Sequence, residues 1–507
     1  MKENMEPIKF SEEDAALLKN HVSNLDRNIY VITNLPPEVV AVLFGYVSRS
    51  PAGFRENLLK LIKSKDLDMG EFVRVAVKGI DYAEAKERAR KFHERWVVGY
   101  GHSSVAEHAV ASVAVENVSI LATKAIEDSR LASYTEKSTR YQIFGRDSFY
   151  RPERIMSSEF GSLYEKTCKE LFDIYLEMIP HLAEHMKKAY PKETGMDDKL
   201  YEAVTKARAC DTARYVLPAA TLTNLAITIN ARSLERMITK LLSNPLTEMN
   251  DIGSSMKHEV LKVIPTLVKY ADRNTYMHET DAAMPEVCRN MIKEKADSRQ
   301  VVLADYDREA ENKIIASIIY RYSHEPYGII LGRVKRMEPE EKERIFDEFM
   351  KRLGEHDTPM RELEHAYYTF DILVDYGAFR DVQRHRMSTQ TNQPLTTANG
   401  YETPEEVKSI GYEARFRKAM ESAKQAFERI SDKFPAEAQY AVPLAFRKRT
   451  LFTWNLRELY HFVKLRSSKE GHMSYRRVAW DIYKEVKRVH PVLAKYMEVD
   501  LSEGPAR

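Results

Sequence analysis

The sequence predicts a helix-rich α+β protein built from two related domains. Three observations carry that prediction. A set of motifs occurs twice in the same order, each copy holds an apolar/polar alternation of strand type, and each alternation leads into helix-type patterning.

The first pair of elements is IYVITNLPPEVVAVLFGYVSRS, from Ile29 to Ser50, and VVLADYDREAENKIIASIIYRYS, from Val301 to Ser323. Each reads as a short apolar strand, a polar turn and a helix. The second pair begins at Gly101 (GHSSVAEHAVASVAV) and Glu355 (EHDTPMRELEHAYYTFDILV). Both contain a His, a hydroxyl residue two further on, and then Glu-His. These are His102, Ser104 and Glu107-His108 in one copy, and His356, Thr358 and Glu364-His365 in the other. In both, Glu-His enters the alternation of a half-buried strand, followed by a helix ending in basic and polar residues. The third pair, NARSLERMITKL from Asn230 and NLRELYHFVKLR from Asn455, shares a helical Asn-x-Arg-x-Leu pattern. A charged helical insertion around residues 150 to 205 lengthens the first copy. The polar connector KEKADSRQ places the domains at residues 1–290 and 291–507.

Composition narrows the function. The chain has 507 residues, 43% hydrophobic and 30% charged, with a net charge of +2. That balance gives no footprint for nucleic acid or an anionic membrane. No apolar run reaches membrane-helix length, and the acidic N-terminus has no signal-peptide pattern, so a cytoplasmic protein is expected. Cys168, Cys210 and Cys288 lack metal-ligand spacing and read as reduced thiols. Neither Glu-His pair belongs to a zinc-type ligand set, so no metal is expected. No Gly-x-Gly-x-x-Gly, Gly-Lys-Ser/Thr or nucleophile–base arrangement is present.

The arginines remain. Arg384, His385 and Arg386 are consecutive, and on a helix their side chains would diverge by about 100° each, too far to grip one small anion. Arg140 lies in SYTEKSTRY, Arg214 in ARYVLP, and Arg466 ends the second Asn-x-Arg-x-Leu helix. Singly, each reads as a surface or ion-paired arginine. Together with Ser133 and Ser138 they suit phosphate oxygens. The residues by themselves carry the reading as far as recognition of a phosphorylated small molecule.

These motifs resemble the flavin-dependent thymidylate synthases. That family's signature is Arg-His-Arg-x-x-Ser with a following Ser-x-Arg. It is preceded by His-x-Ser/Thr…Glu-His and followed by Ala-Arg-x-x-Leu-Pro and Asn-x-Arg-x-Leu. The resemblance covers most of both halves, and each half keeps what the other loses. The first keeps Arg130, Ser133, Glu136, Ser138, Arg140, Tyr141 and Arg214, but has Asp128 and Ser129 in the triplet and Leu241 for the late arginine. The second keeps Arg384, His385, Arg386, Ser388, Asn455, Arg457, His461 and Arg466, but has TNQPLTTANGY for the Ser-x-Arg and Gln439 for the Ala-Arg arginine.

The resemblance implies the family's fold, with a mixed or antiparallel sheet in each half. It implies reductive methylation of dUMP to dTMP with FAD as cofactor and NADPH and methylenetetrahydrofolate as co-substrates. It implies one composite site shared by the two halves, and a homodimer reproducing the family tetramer. Catalytic roles fall on Arg384, His385, Ser138 and Arg140. Nucleotide binding falls on Glu136, Ser138, Arg140, Arg214, Arg384 and Arg466, with the arginines on the phosphate. FAD binding falls on Thr358, Glu364, Arg384, His385, Arg386, Asn455, Arg457 and His461. His102, Ser104, Glu107 and Asn230 are the first-half counterparts. His385 and Arg386 are expected to face the flavin. One departure stands out: the family has Gln where this chain has Asp381, and a carboxylate beside a phosphate needs a cation to pair with. A non-enzymatic flavin- or nucleotide-binding scaffold, and an enzyme acting on another pyrimidine nucleotide, remain alternatives.

Overall fold

The computed structural model describes residues 10–26, 30–35, 37–47, 53–63, 105–288, 291 and 298–503. The chain forms two compact units. One comprises Met1–Asn117, Leu131–Glu136 and Asn224–Met291; the other comprises Val118–Arg130, Lys137–Thr223 and Ile292–Arg507. The second unit therefore gathers segments from both sequence copies.

In the first unit, the helices Glu12–Lys19, Pro37–Val47 and Phe54–Lys63 meet at a small core of Leu18, Val22, Leu43, Leu58 and Leu59. Three strands, β1 (Val110–Ser119), β2 (Ala132–Glu136) and β3 (Leu222–Asn230), form a sheet in the order β1-β3-β2. The alternation on β3 behaves as its pattern requires: Leu225, Ile227 and Ile229 are buried. The strand expected before the helix Pro37–Val47 is a correction. Among the described residues it is a single bridge, Val22 to Ile32. Asn34 then takes a left-handed φ of 52°, which ends the extended run.

The second unit has four strands, β4 (Val301–Tyr306), β5 (Tyr367–Asp375), β6 (Ser388–Asn392) and β7 (Arg447–Asn455), in the order β4-β5-β7-β6. All neighbours are antiparallel. β5 and β7 run in register from Tyr367 opposite Asn455 to Asp375 opposite Arg447. Phe452 and Trp454 fall on one face and stack with ring centroids 4.6 Å apart. The expected helical insertion is present as Gly161–Ala189 and Asp198–Ala213. The fold is α+β, with antiparallel strand pairing in both sheets.

The motif repeat is also a hydrogen-bond repeat. Asn230 caps the helix Ala231–Leu242 by accepting from the Ser233 amide at 2.9 Å, and Asn455 caps Leu456–Ser467 by accepting from the Glu458 amide at 2.9 Å. Behind each cap, the amides of Ala231 and Leu456 donate to the carbonyls of Ala109 and Ala366. Ser119 and Asp375 likewise cap the helices Ile120–Ile126 and Tyr376–Val382.

Within the second unit the two copies meet about a local two-fold centred on Pro218 and Pro443, which form a bridge. Ala219 N–H donates to Val442 at 2.8 Å and Leu444 N–H to Leu217 at 2.9 Å. Ala220 donates to Tyr440 at 3.0 Å and Ala445 to Tyr215 at 2.9 Å. Each bond has its reciprocal between equivalent residues, the geometry of a symmetric interface held inside one chain.

Candidate functional site

The helix Tyr376–Val382 ends before the triplet, so Arg384, His385 and Arg386 lie in the turn between that helix and β6. The helical spacing considered for them does not apply, and each side chain takes its own direction. Arg384 is half exposed and lies 3.6 Å from Asp381. Arg386 donates to the Arg130 carbonyl at 2.9 Å, while Arg130 donates to the Ser388 carbonyl at 2.7 Å.

His385 is buried. Its Nε2 accepts from Arg466 Nε–H at 2.8 Å, so this nitrogen is unprotonated. Its Nδ1–H therefore donates to Glu458 at 3.0 Å. Burial, reinforced by the Arg466 guanidinium, holds the imidazole well below its usual pKa and hence neutral. Burial also raises the Glu458 carboxyl.

The first-copy residues arrive from the other side of the local two-fold. Arg140 and Arg214 share the Asp211 carboxylate at 3.3 and 2.9 Å. Arg214 and Arg380 both donate to the Thr139 hydroxyl, at 3.3 and 3.4 Å. Ser138 accepts from the Arg140 amide at 3.1 Å, which fixes the turn of the Ser-x-Arg segment. Asp381 lies 3.6 Å from Arg384 and 3.9 Å from Arg466, and its charge also reaches Arg214. The carboxylate that departs from the family pattern is thus surrounded by cations. Burial alone would lower the Arg214 guanidinium, but Asp211 and Asp381 hold it above its ordinary value. The five guanidiniums outnumber the carboxylates Asp211, Asp381 and Asp375 around them, so the cluster is net positive.

One edge of that cluster is unsatisfied. Arg214 is 3% exposed, yet among the described residues its Nε and Nη2 have no hydrogen-bond acceptor. The Asp211 contact is an ion pair without hydrogen-bond alignment. A buried orphaned guanidinium edge calls for an acceptor, and a phosphate oxygen has the charge and geometry for it.

The expected flavin residues occupy the same unit. Arg457 donates to the Pro359 carbonyl at 2.6 Å and pairs with Glu364 at 2.9 Å, next to exposed Thr358. Exposed His461 lies 5.3 Å from the His385 ring, between centroids. Asn455 has its side chain engaged as the helix cap. Exposed Arg384 and His461 flanking buried His385 fit an anionic, planar cofactor such as a flavin nucleotide.

Glu136, Glu107 and Asn230 lie in the other unit. There Glu107 pairs with Arg232 at 2.5 Å, as Glu364 does with Arg457, and His108 packs edge-on against Phe44 at 4.9 Å. His102 and Ser104 lie outside the described residues. Among the described residues, no group of three His, Cys, Asp or Glu could hold a metal ion. No described helix is long and apolar enough to cross a membrane.

Sequence reading passed over Thr139, Asp211, Arg380 and Glu458. Thr139 is the middle residue of the Ser-x-Arg, and Glu458 lies inside the second Asn-x-Arg-x-Leu, so both were in view. Asp211 and Arg380 are single buried charges on helices and leave no periodic signal.

The equivalent positions across the two-fold lack the arginines. Gln439 stands for Arg214 and accepts from the Leu395 amide at 2.9 Å. Leu395 stands for Thr139, and Asp128, paired with Lys124 at 3.7 Å, stands for Arg384. Thr223 donates to the Lys137 carbonyl at 3.3 Å, whereas its counterpart Lys448 donates to Gln393. Burial, with Lys124 nearby, pushes the Lys448 amine down to about 7. Because the unfolded chain binds that proton more tightly, Lys448 costs stability at neutral pH, and the cost fades as pH rises toward 10. Lys448→Met is therefore expected to stabilise by roughly 1–3 kcal/mol at pH 7, with less gain at pH 10, in urea melts. A destabilised variant at pH 7 would show that the amine is needed where it sits.

A family model described as thymidylate synthase complementing protein matches residues 57–266 and 302–492. The chain is 36% identical to the "UPF0159 protein" of Chlamydia muridarum, covering 97% of this chain and 96% of that one. It is 31% identical to the UPF0159 protein of Thermoplasma acidophilum over 83% of this chain and 91% of the relative. It is 32% identical to the flavin-dependent thymidylate synthase of Saccharolobus solfataricus over 40% of this chain and 70% of the relative.

Proposed function

Because the chain belongs to the flavin-dependent thymidylate synthase family, we propose that it converts dUMP to dTMP at one composite site per chain. The two sequence halves, 1–290 and 291–507, are read as fused copies of one ancestral domain. The observation that carries the proposal is the orphaned Nε and Nη2 edge of buried Arg214, set among cations from both halves.

A dianionic phosphomonoester balances most of the local charge excess. Arg140 and Arg214 take its oxygens from one side, and Arg384 and Arg466 from the other. Asp381 and Asp211 keep these guanidiniums in place before the nucleotide arrives, so little reorganisation is needed on binding. Neutral His385, locked as its Nδ1–H tautomer, gives a fixed, uncharged surface beside Arg466. Thr358, Glu364, Arg384, His385, Arg386, Asn455, Arg457 and His461 are the residues assigned to FAD. When bound, FAD supplies the two-electron reduction that turns a transferred methylene into a methyl group, with NADPH as reductant and methylenetetrahydrofolate as carbon donor. The protein's part is to orient the pyrimidine and to hold positive charge near it. A homodimer completes the proposed assembly.

The test is the flavin-to-chain ratio after FAD saturation and desalting, followed by dTMP formation in the presence of dUMP, methylenetetrahydrofolate and NADPH. The expected results are about one FAD per chain and product formation. A ratio near two would require the side that lacks the arginines to bind as well. No retained flavin, even with dUMP present, would replace the enzyme reading with a scaffold.

A further inference from the structure

The segment between the helix Leu456–Ser467 and the helix Met473–Val489 belongs to none of the paired motifs. It nevertheless reaches the arginine cluster. The Glu470 carbonyl accepts from Arg140 Nη2 at 3.4 Å, and the Arg466 guanidinium lies 5.6 Å over the Tyr475 ring.

His472 is the residue of interest. Its Nδ1 accepts from the Ser474 backbone amide at 3.2 Å, capping the second helix, and lies 3.3 Å from the Tyr215 hydroxyl. A backbone amide can only donate. Nδ1 is therefore the unprotonated nitrogen, Tyr215 O–H donates to it, and the neutral ring carries its proton on Nε2.

This arrangement is held from behind by a buried chain of polar groups. Tyr215 is 2% exposed, and its ring lies 5.4 Å from that of His472, tilted by 33°. Ser474, whose backbone amide caps onto His472, donates its hydroxyl to Asp375. Asp375 is fully buried, and its other oxygen caps the helix that carries Arg380 and Asp381. Burial, with Asp375 nearby, keeps the phenol far above its usual pKa, so it remains a donor. The nucleotide machinery described so far uses none of these four groups.

Tyr215 directly follows Arg214 in the chain and Glu470 contacts Arg140, so His472 stands beside the two arginines that share Asp211. His472 is only partly buried, and among the described residues its Nε2–H has no acceptor. A ring locked in one tautomer and presenting an unused donor beside two phosphate-type arginines fits an anionic oxygen.

We propose that His472 is a phosphate-binding residue of the nucleotide site, donating Nε2–H to an oxygen of the phosphomonoester held by Arg140 and Arg214. The proposal rests on the nucleotide reading above. It adds a neutral donor from a segment outside the paired motifs, positioned by Tyr215 and by Ser474, which Asp375 holds in place.

Two substitutions separate binding from capping. His472→Asn keeps an oxygen for the Ser474 amide but loses the distal donor. His472→Gln places an amide N–H about where the imidazole Nε2–H was. With the FAD-loaded enzyme, the dUMP Kd is measured by calorimetry, and inorganic phosphate is measured as a competitor of dUMP. His472→Asn is expected to weaken both about tenfold with its thermal melt unchanged, and His472→Gln to recover to within about threefold of wild type although loss of the cap lowers its melt.

Unchanged dUMP affinity in His472→Asn overturns the proposal. A weaker dUMP Kd with unchanged phosphate competition also overturns it, because the contact would then lie on the base or sugar. So does a loss in His472→Gln as deep as in His472→Asn. If the wild-type holoenzyme binds neither dUMP nor phosphate, the nucleotide reading itself fails, a result distinct from all three.

Discussion

Arg140→Ala and Arg384→Ala are each expected to lower dTMP formation at least about a hundredfold, and mixing the two purified variants is not expected to restore it. Each removes one charge-assisted contact to the phosphate, and a hundredfold corresponds to about 2.7 kcal/mol of lost stabilisation. The residues come from opposite sequence halves but stand in one compact unit. Arg140 is tied to Asp211 and Arg214, and Arg384 to Asp381, which in turn faces Arg466 and Arg214. A chain lacking either arginine therefore carries a broken site whatever its neighbour supplies. If the site were assembled between chains, a mixture would rebuild some intact sites, and up to about a quarter of the activity would return. Recovered activity on mixing would sink the single-chain composite site, while full activity in either single variant would remove that arginine from the site.

The sequence carried the repeat because repetition survives in local signals. Asn230 and Asn455 open helices, Ser119 and Asp375 cap the helices after the alternating strands, and the Glu–Arg pairs recur as Glu107–Arg232 and Glu364–Arg457. The caps are short-range rules that a single sequence can show, and the Glu–Arg pairs join motifs that recur in the same order. The division of labour between the halves was legible for the same reason: Arg214 against Gln439, and Asp128 against Arg384, can be aligned without coordinates. What could not be read was packing across the Pro218–Pro443 two-fold. Which lone charges become buried there depends on a contact between segments more than two hundred residues apart, and Asp211 and Arg380 have ordinary helical surroundings in sequence. Asn455 and Asn230, which the family likeness assigns to the cofactor, also use their side-chain oxygens as helix caps. The triplet's geometry also escaped, because the helix before it stops at Val382, and nothing in Gln383-Arg384-His385 marks that end.

Asp211→Ala is expected to be among the most destabilising single changes in the second unit, by roughly 3–5 kcal/mol at pH 7 in urea or thermal melts. The carboxylate is 9% exposed and, among the described residues, is the anion in ion-pair contact with Arg214, which is itself 3% exposed and cannot lose its charge. Removing it leaves a buried guanidinium with Thr139 as its nearest polar contact and Arg140 and Arg380 close by, all the same sign. The pH dependence gives the mechanism its own check. Burial works to raise the Asp211 carboxyl, but Arg214, His472 and Arg140 together hold it below its ordinary value. A carboxyl depressed in the folded state contributes stability above its unfolded pKa of about 4 and loses it as pH falls toward the folded value. The gap between wild type and Asp211→Ala should therefore be full at pH 7 and narrow below about pH 4. A gap that stays constant through that range would mean the lost stability came from packing, and a cost under about 1 kcal/mol would mean that water or a bound anion already neutralises Arg214. Adding dUMP then distinguishes these last two: a phosphate seated on Arg214 replaces part of the missing carboxylate charge, so the nucleotide should stabilise the variant more than it stabilises the wild type.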